Sequence, residues 1–176
     1  MSAIDIFRQK KLFFIGLFFA IFVAFLDLYS KYAAFSFLER ISLERNWQYP
    51  ILEVTSFFNL VKVWNNGVSF GMFSNLDNAK YFILFVNSII LLILLIWLYR
   101  ANSAYLTAAL SLIIGGAIGN SIDRIYNGAV ADFLDFYISN YHWPAFNLAD
   151  SAVFLGVALL LLEDFFCKNK PKDDAK

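Results

Sequence analysis

The chain of 176 residues contains one cysteine, Cys167, and one histidine, His142. A single cysteine excludes a disulfide within the chain. One histidine and one distant cysteine argue against a zinc centre, which draws its ligands from several His, Cys and carboxylate side chains. They also confine any Ser-His or Cys-His catalysis to His142. Charge is scarce as well. Asp, Glu, Lys and Arg make up 16% of the residues and cancel to a net charge of zero, against about a quarter charged in a soluble domain. No basic field is left to attract nucleic acid. With three prolines, eight glycines and no low-complexity tract, the chain shows neither a linker nor an internal repeat.

What it has is apolar surface: 60% hydrophobic residues and 19% aromatic ones, gathered in long uncharged runs. A membrane helix needs about 20 mostly apolar residues, and four runs qualify. The first spans about 12–31 and admits Asp27. The second, about 81–99, is bracketed by Lys80 and Arg100. The third covers about 101–122, and the fourth, about 145–165, admits Asp150. Arg8, Lys10 and Lys11 ahead of the first run mimic a secretory signal peptide, but three further spans follow. The expected architecture is an all-α membrane protein: a single membrane domain over 1–176, with four transmembrane helices and a tail at 166–176. Arg8, Lys10, Lys11, Arg100, Lys168, Lys170, Lys172 and Lys176 fall on one side of that arrangement. By the positive-inside rule both termini and the tail are therefore cytoplasmic. The basic residues within 36–79 obey the rule less well.

Between the first two helices, about 36–79, lies the expected β-rich extracytoplasmic segment. "YPILEVTSFFNLVKVWNN" is β-branched and aromatic, and Asn65-Asn66-Gly67 marks a turn. A later stretch, "FLDFYISNYHWP", mixes polar and apolar residues and is expected to lie flat in the membrane interface, with Tyr141 and Trp143 at that depth.

This orientation gathers acids on the outer rim. Asp27 lies one turn inside the first helix end, Asp123 and Arg124 lie at the end of the third, Asp132 falls in the outer loop, and Asp150 lies one turn into the fourth. Asp27 and Lys31 are spaced for a helical ion pair. Asn120 lies three residues before Asp123, and Asn147 three before Asp150. Asp150 has no Lys or Arg within a turn, and an intramembrane acid without a local partner is a functional candidate. Two carboxylates that approach closely do not both ionise easily: one stays charged while the other keeps a proton. Such a pair can activate water and protonate a carbonyl oxygen without histidine, cysteine or metal. On spacing alone the partner of Asp150 is Asp132, Asp123 or Asp135.

The motifs narrow the choice. "DLYSK" ends the first helix (Asp27, Lys31) and "NNGVSF" follows in the outer segment (Asn65, Gly67, Phe70). "GNSIDR" ends the third helix (Gly119, Asn120, Asp123, Arg124), "GAVADF" comes next (Gly128, Val130, Asp132, Phe133), and "FNLAD" opens the fourth (Asn147, Asp150). In this order the chain resembles the bacterial lipoprotein signal peptidases, the signal peptidase II family of intramembrane aspartic peptidases. The resemblance implies a multi-pass protein of the bacterial cytoplasmic (inner) membrane, with its site near the outer face. It implies an aspartic endopeptidase, needing no cofactor or metal, that cuts diacylglyceryl-modified prolipoproteins before the lipidated cysteine. Asp132 and Asp150 correspond to the family's catalytic aspartates. Asp27, Lys31, Asn65, Gly67, Asn120, Asp123, Arg124 and Asn147 correspond to its supporting or substrate-binding positions, which leaves Asp135 a solvated bystander. The expected partners are lipidated precursors and membrane lipid. The rival readings are a small proton-coupled carrier using the same rim of acids, and a non-catalytic assembly factor. A Ser-Lys peptidase is disfavoured because Ser30 and Lys31, being adjacent, share no helical face. Gly115, Gly116 and Gly119 are expected to permit close helix packing.

Overall fold

The computed structural model describes residues 3–48, 50–67 and 79–168, with side chains over 7–48, 50–67 and 80–162. In chain order the elements are α1 (Ala3–Arg45), β1 (Ile51–Thr55), β2 (Phe58–Asn65), α2 (Ala79–Arg100), α3 (Ala104–Asn127), β3 (Val130–Ile138), β4 (Tyr141–His142) and α4 (Leu148–Lys168). Among the described residues, α1, α2 and α3 are long and apolar enough to cross a membrane, while α4 contributes a shorter apolar stretch, Leu148–Leu162.

α3 is the helix against which the others assemble. Its N-terminus is capped by Ser103, whose Oγ accepts the Leu106 N–H at 3.1 Å, satisfying one of the amides that a helix start leaves open. Ala20, Leu94, Leu98, Ala101, Leu110, Ile113 and Ile114 form the buried apolar core. Glycines set how closely the helices approach. A Cβ at Gly115 would lie 2.6 Å from the carbonyl oxygen of Ala20 on α1, and one at Gly116 would run into the Ala149 carbonyl of α4. The expectation of close packing at these positions holds. α3 then stops at Gly128, whose φ of 75° is the left-handed C-cap conformation glycine adopts without strain. The turn throws the chain directly into β3.

The four strands form one antiparallel sheet in the order β1-β2-β3-β4. β1 and β2 appear where the β-branched residues placed them. Two expectations are corrected. Helix α1 does not stop near Lys31 but continues to Arg45, so residues 36–45, expected in the β-rich segment, are helical. The hydropathic run marks where lipid ends, not where helix ends, and "FSFLERISLER" holds good helix formers. Strands are expected only between the first two helices, yet the stretch "FLDFYISNYHWP" supplies most of β3 and all of β4. Val130, Ala131, Asp132, Phe133 and Asp135 are all buried, so β3 shows none of the alternation that announces a strand. The sheet is thus built from two separated parts of the chain. Phe70 lies outside the described residues.

Candidate active site

The site forms where the C-terminal part of α3, the first residues of β3 and the start of α4 meet the middle of α1. The local sequence of α4 explains how its acid is held. Asn147 precedes the first helical residue and Asp150 is the third. The Asp150 N–H donates to Asn147 Oδ1 at 2.9 Å, and the Asn147 N–H donates to Asp150 Oδ2 at 3.3 Å. This is a reciprocal capping box with an acid in the first turn, where the helix dipole favours negative charge. A second amide that the helix itself leaves open in this turn, the buried Ala149 N–H, donates to Asp27 Oδ1 at 2.8 Å.

Asn147 also joins the two central acids. Its Nδ2 donates to Asp132 Oδ1 at 2.7 Å while its backbone N–H holds Asp150, so both carboxylates hang on one residue. Asn65 of β2 donates from Nδ2 to the other oxygen, Asp132 Oδ2, at 3.1 Å, and its own Oδ1 accepts the Gly67 N–H at 3.3 Å. Asn120 of α3 donates to Asp150 Oδ1 at 2.8 Å and accepts from Asn147 Nδ2 at 3.2 Å. Asp132 is 1% exposed. Burial pushes its carboxyl up to about 6, and the Asp150 charge adds to the rise; the bonds from Asn65 and Asn147 and the charge of Lys31 oppose it. One acid is thereby disposed to keep a proton beside another that accepts hydrogen bonds.

Behind this pair lies an ion cluster. Lys31 Nζ sits 2.7 Å from Asp27 Oδ2 and 2.9 Å from Asp123 Oδ2, and it donates to Asn120 Oδ1 at 3.0 Å. The ammonium group thus has three oxygen neighbours, two of them on carboxylates. Lys31, Asp27 and Asp123 are each nearly inaccessible, so the expected helical pair is half of a bridge between α1 and α3. Gly119 makes the bridge possible, because a Cβ there would collide with the Asp27 carboxylate. Asp123 continues the chain of contacts into β3: its Oδ2 accepts the Ala131 N–H at 3.2 Å, and Asn127 Nδ2 donates to its Oδ1 at 3.3 Å.

Arg124 does not pair with Asp123. Its Nη1 donates to the Asn120 carbonyl at 3.5 Å, and its buried Nε has no partner among the described residues. It lines a groove of about 730 Å³ between α2, α3 and α4, together with Asn120 and Asp150. The walls are otherwise mostly apolar, including Phe82, Ile90, Val153 and Phe154. Every sequence-predicted site residue therefore converges on one place: Asp132 and Asp150 on Asn147, with Asn65, Gly67, Asn120, Asp27, Lys31 and Asp123 around them and Arg124 at the groove. Among the described residues, no group of three or more His, Cys, Asp or Glu side chains is arranged to hold a metal ion.

Sequence reasoning missed two polar features. Asp135 is not solvated: it is 7% exposed and bonded by Asn59 and His142. In α2, Asn87 Nδ2 donates to Ser121 Oγ at 2.5 Å and to the Ala117 carbonyl at 3.2 Å, tying α2 to α3 beside the groove. Asn87 interrupts an otherwise apolar run, and that interruption was its signal.

The family model of signal peptidase (SPase) II matches residues 19–166. The lipoprotein signal peptidase of Francisella tularensis subsp. mediasiatica (strain FSC147) is 38% identical over 171 residues, covering 94% of this chain and 99% of that one. That of Alteromonas mediterranea (strain DSM 17117) is 36% identical over 174 residues, covering 97% and 90%. A bacterial membrane enzyme solved by the in meso method at 2.3 Å resolution superposes with a TM-score of 0.72 at 28% identity, covering 92% of this chain and 94% of that one. The convergence of buried acids and amides at one end of an apolar helix bundle agrees with these matches, and the chain belongs to the signal peptidase II family.

Proposed function

We propose that the chain removes the signal peptide from diacylglyceryl-modified prolipoproteins by hydrolysing the bond before the lipidated cysteine, with Asp132 and Asp150 as one acid-base pair. As a signal peptidase II it is an aspartic peptidase and a multi-pass bacterial membrane protein. Family membership leaves the carrier and assembly-factor readings without support.

The observation that carries the reaction is the attachment of both carboxylates to Asn147, one of them with a raised affinity for its proton. Asp150 takes a proton from water as the oxygen attacks the scissile carbonyl, and Asp132 gives its proton to the carbonyl oxygen. When the diol collapses, the C–N bond breaks, the proton on Asp150 passes to the leaving amine, and a diol hydroxyl returns one to Asp132. The pair ends as it began, and no covalent intermediate forms. Arg124 Nε, lacking a partner, supplies a donor to a substrate carbonyl in the groove. Asn65 and Asn120 hold the acids, while Lys31, Asp27 and Asp123 fix the helix ends that carry them. α4 completes four spans, with both termini cytoplasmic and the site near the outer face; the apolar groove then opens toward lipid, where a signal helix and acyl chains lie.

The test is cleavage by the purified protein in lipid vesicles of one precursor peptide, with and without its diacylglyceryl group. Cleavage of the lipidated form alone is expected. Equal cleavage of both forms contradicts the proposed substrate, and cleavage of neither contradicts the reaction.

A further inference from the structure

We propose that Asp135 is a positioning residue for this reaction: clamped between Asn59 of β2 and His142 of β4, it holds the register of β3 and so the aim of Asp132. The inference rests on the acid-base pair proposed above.

Asp135 lies three residues beyond Asp132 on the same strand, where an acid is ordinarily solvated. Here the carboxylate is buried and both oxygens are engaged. Asn59 Nδ2 donates to Oδ2 at 2.9 Å, and His142 Nδ1 lies 2.9 Å from each oxygen. Asn59 is itself 7% exposed and stands directly across from Asp135 in the β2–β3 ladder. His142 pairs with Tyr137 across the β3–β4 hairpin and stacks on its ring, with centroids 5.0 Å apart. One carboxylate thus ties three strands together.

The ladder alone does not hold Asp132 in place. From Leu60 opposite Leu134 to Val63 opposite Asp132, β2 advances one residue more than β3, so a bulge separates the two acids. Ladder bonds are disrupted at a bulge, and a slip of one residue would turn Asp132 to the other face of the sheet. The register is held from both sides instead: Asn65 on Asp132, Asn59 and His142 on Asp135. Between the acids, the Phe133 and Leu134 N–H groups both donate to the Phe146 carbonyl, at 3.1 and 2.9 Å, and the Phe146 N–H returns to Leu134 at 3.0 Å. Phe146 immediately precedes Asn147, the residue that holds both proposed catalytic acids. A shift at Asp135 is passed to that docking point within one residue.

The experiment measures kcat and KM on the lipidated precursor, and Tm, for full-length Asp135→Ala, Asp135→Asn and His142→Leu. Misplacement of a reacting group by about 1 Å costs on the order of 100-fold. Asp135→Ala is accordingly expected to lose about 10- to 100-fold in kcat with KM within about twofold. Asp135→Asn recovers to within about threefold, since an amide accepts from His142 and, with Asn59 flipped, donates to it. His142 is half-exposed, so His142→Leu folds normally and loses about 3- to 10-fold in kcat at unchanged Tm; with Asp135→Asn it decides the matter should Asp135→Ala fail to fold. Wild-type kcat in Asp135→Ala or His142→Leu, a loss confined to KM, or an Asp135→Asn variant as impaired as Asp135→Ala overturns the proposal. Failure of the acid-base pair itself reads differently: Asp132→Asn would then remain active.

Discussion

Helices α2 and α3 are neighbours of similar length, 22 and 24 residues, yet they obey different rules. In their most apolar windows 11% of α2 and 50% of α3 is buried inside the protein. α2 turns Phe85, Ile89, Leu92, Ile93 and Ile96 outward, so its composition answers to lipid. α3 packs against α1, α2 and α4, carries glycine where backbones meet, and ends in Asn120, Asp123 and Arg124. The strongest membrane signal in the chain therefore belongs to the helix that contributes least to the chemistry. The weaker signal belongs to the one that organises it. Substitutions in the two helices sharpen this contrast.

The largest effects are expected at the acids served by α3 and its neighbours. Asp132→Asn and Asp150→Asn should each lower turnover by about 1000-fold or more, measured on the lipidated precursor, with membrane insertion unchanged. Next comes the ion cluster. Lys31→Met leaves Asp27 and Asp123 buried without their cation, and breaking a buried pair costs about 3–5 kcal/mol. The variant's Tm in detergent should fall accordingly, and an unchanged Tm would mean that the cluster adds nothing to the joint between α1 and α3.

A smaller effect follows from Asp132 alone. Its folded value of about 6 stands above the ordinary 3.8, so the folded state takes up this proton before the unfolded chain does. Wild-type stability from this group is gained as pH falls from about 6 toward 4, and it is absent above 6. Asp132→Asn should therefore show its greatest Tm advantage over wild type above pH 6 and lose that advantage below about pH 4. A Tm difference that does not vary with pH would contradict the raised affinity. Smaller again is Asn87→Leu, which removes the hydrogen bonds tying α2 to α3. Such interhelical bonds are worth about 0.6 kcal/mol on average and at most about 1.7. The smallest effect belongs to the lipid-facing side of α2: Leu92→Ile or Ile93→Leu should change stability and turnover by no more than about 0.5 kcal/mol. A large loss there would break the contrast with α3.

The same contrast explains how much was legible from the sequence. Hydropathy found the long helices because lipid imposes a composition on whatever faces it. The order of "DLYSK", "GNSIDR", "GAVADF" and "FNLAD" found the site because the last three sit where α3 passes into β3 and α4 begins, while the first faces them from within α1. The end of α1 was misjudged because a change from lipid to water does not interrupt backbone hydrogen bonding, and α1 continues to Arg45. β3 was missed because it is buried on both faces and carries two acids, which suppress both the alternation and the apolar run that reveal strands. Asp135 was read as a bystander for a related reason. Its partners Asn59 and His142 come from different strands, and no local spacing announces a bond closed by tertiary structure. Lys31 was paired with Asp27, as helical spacing requires, but its second acid, Asp123, arrives from α3 only because Gly119 lets the helices touch.

The central claim is that Asp132 and Asp150 act as one unit on a shared proton. Single-turnover cleavage of the lipidated precursor by Asp132→Asn, Asp150→Asn and the double variant tests it most directly. Residues that work as a unit give non-additive losses, so each single variant should be about as inactive as the double. A single variant that keeps near wild-type turnover, or losses that multiply in the double variant, would contradict the account.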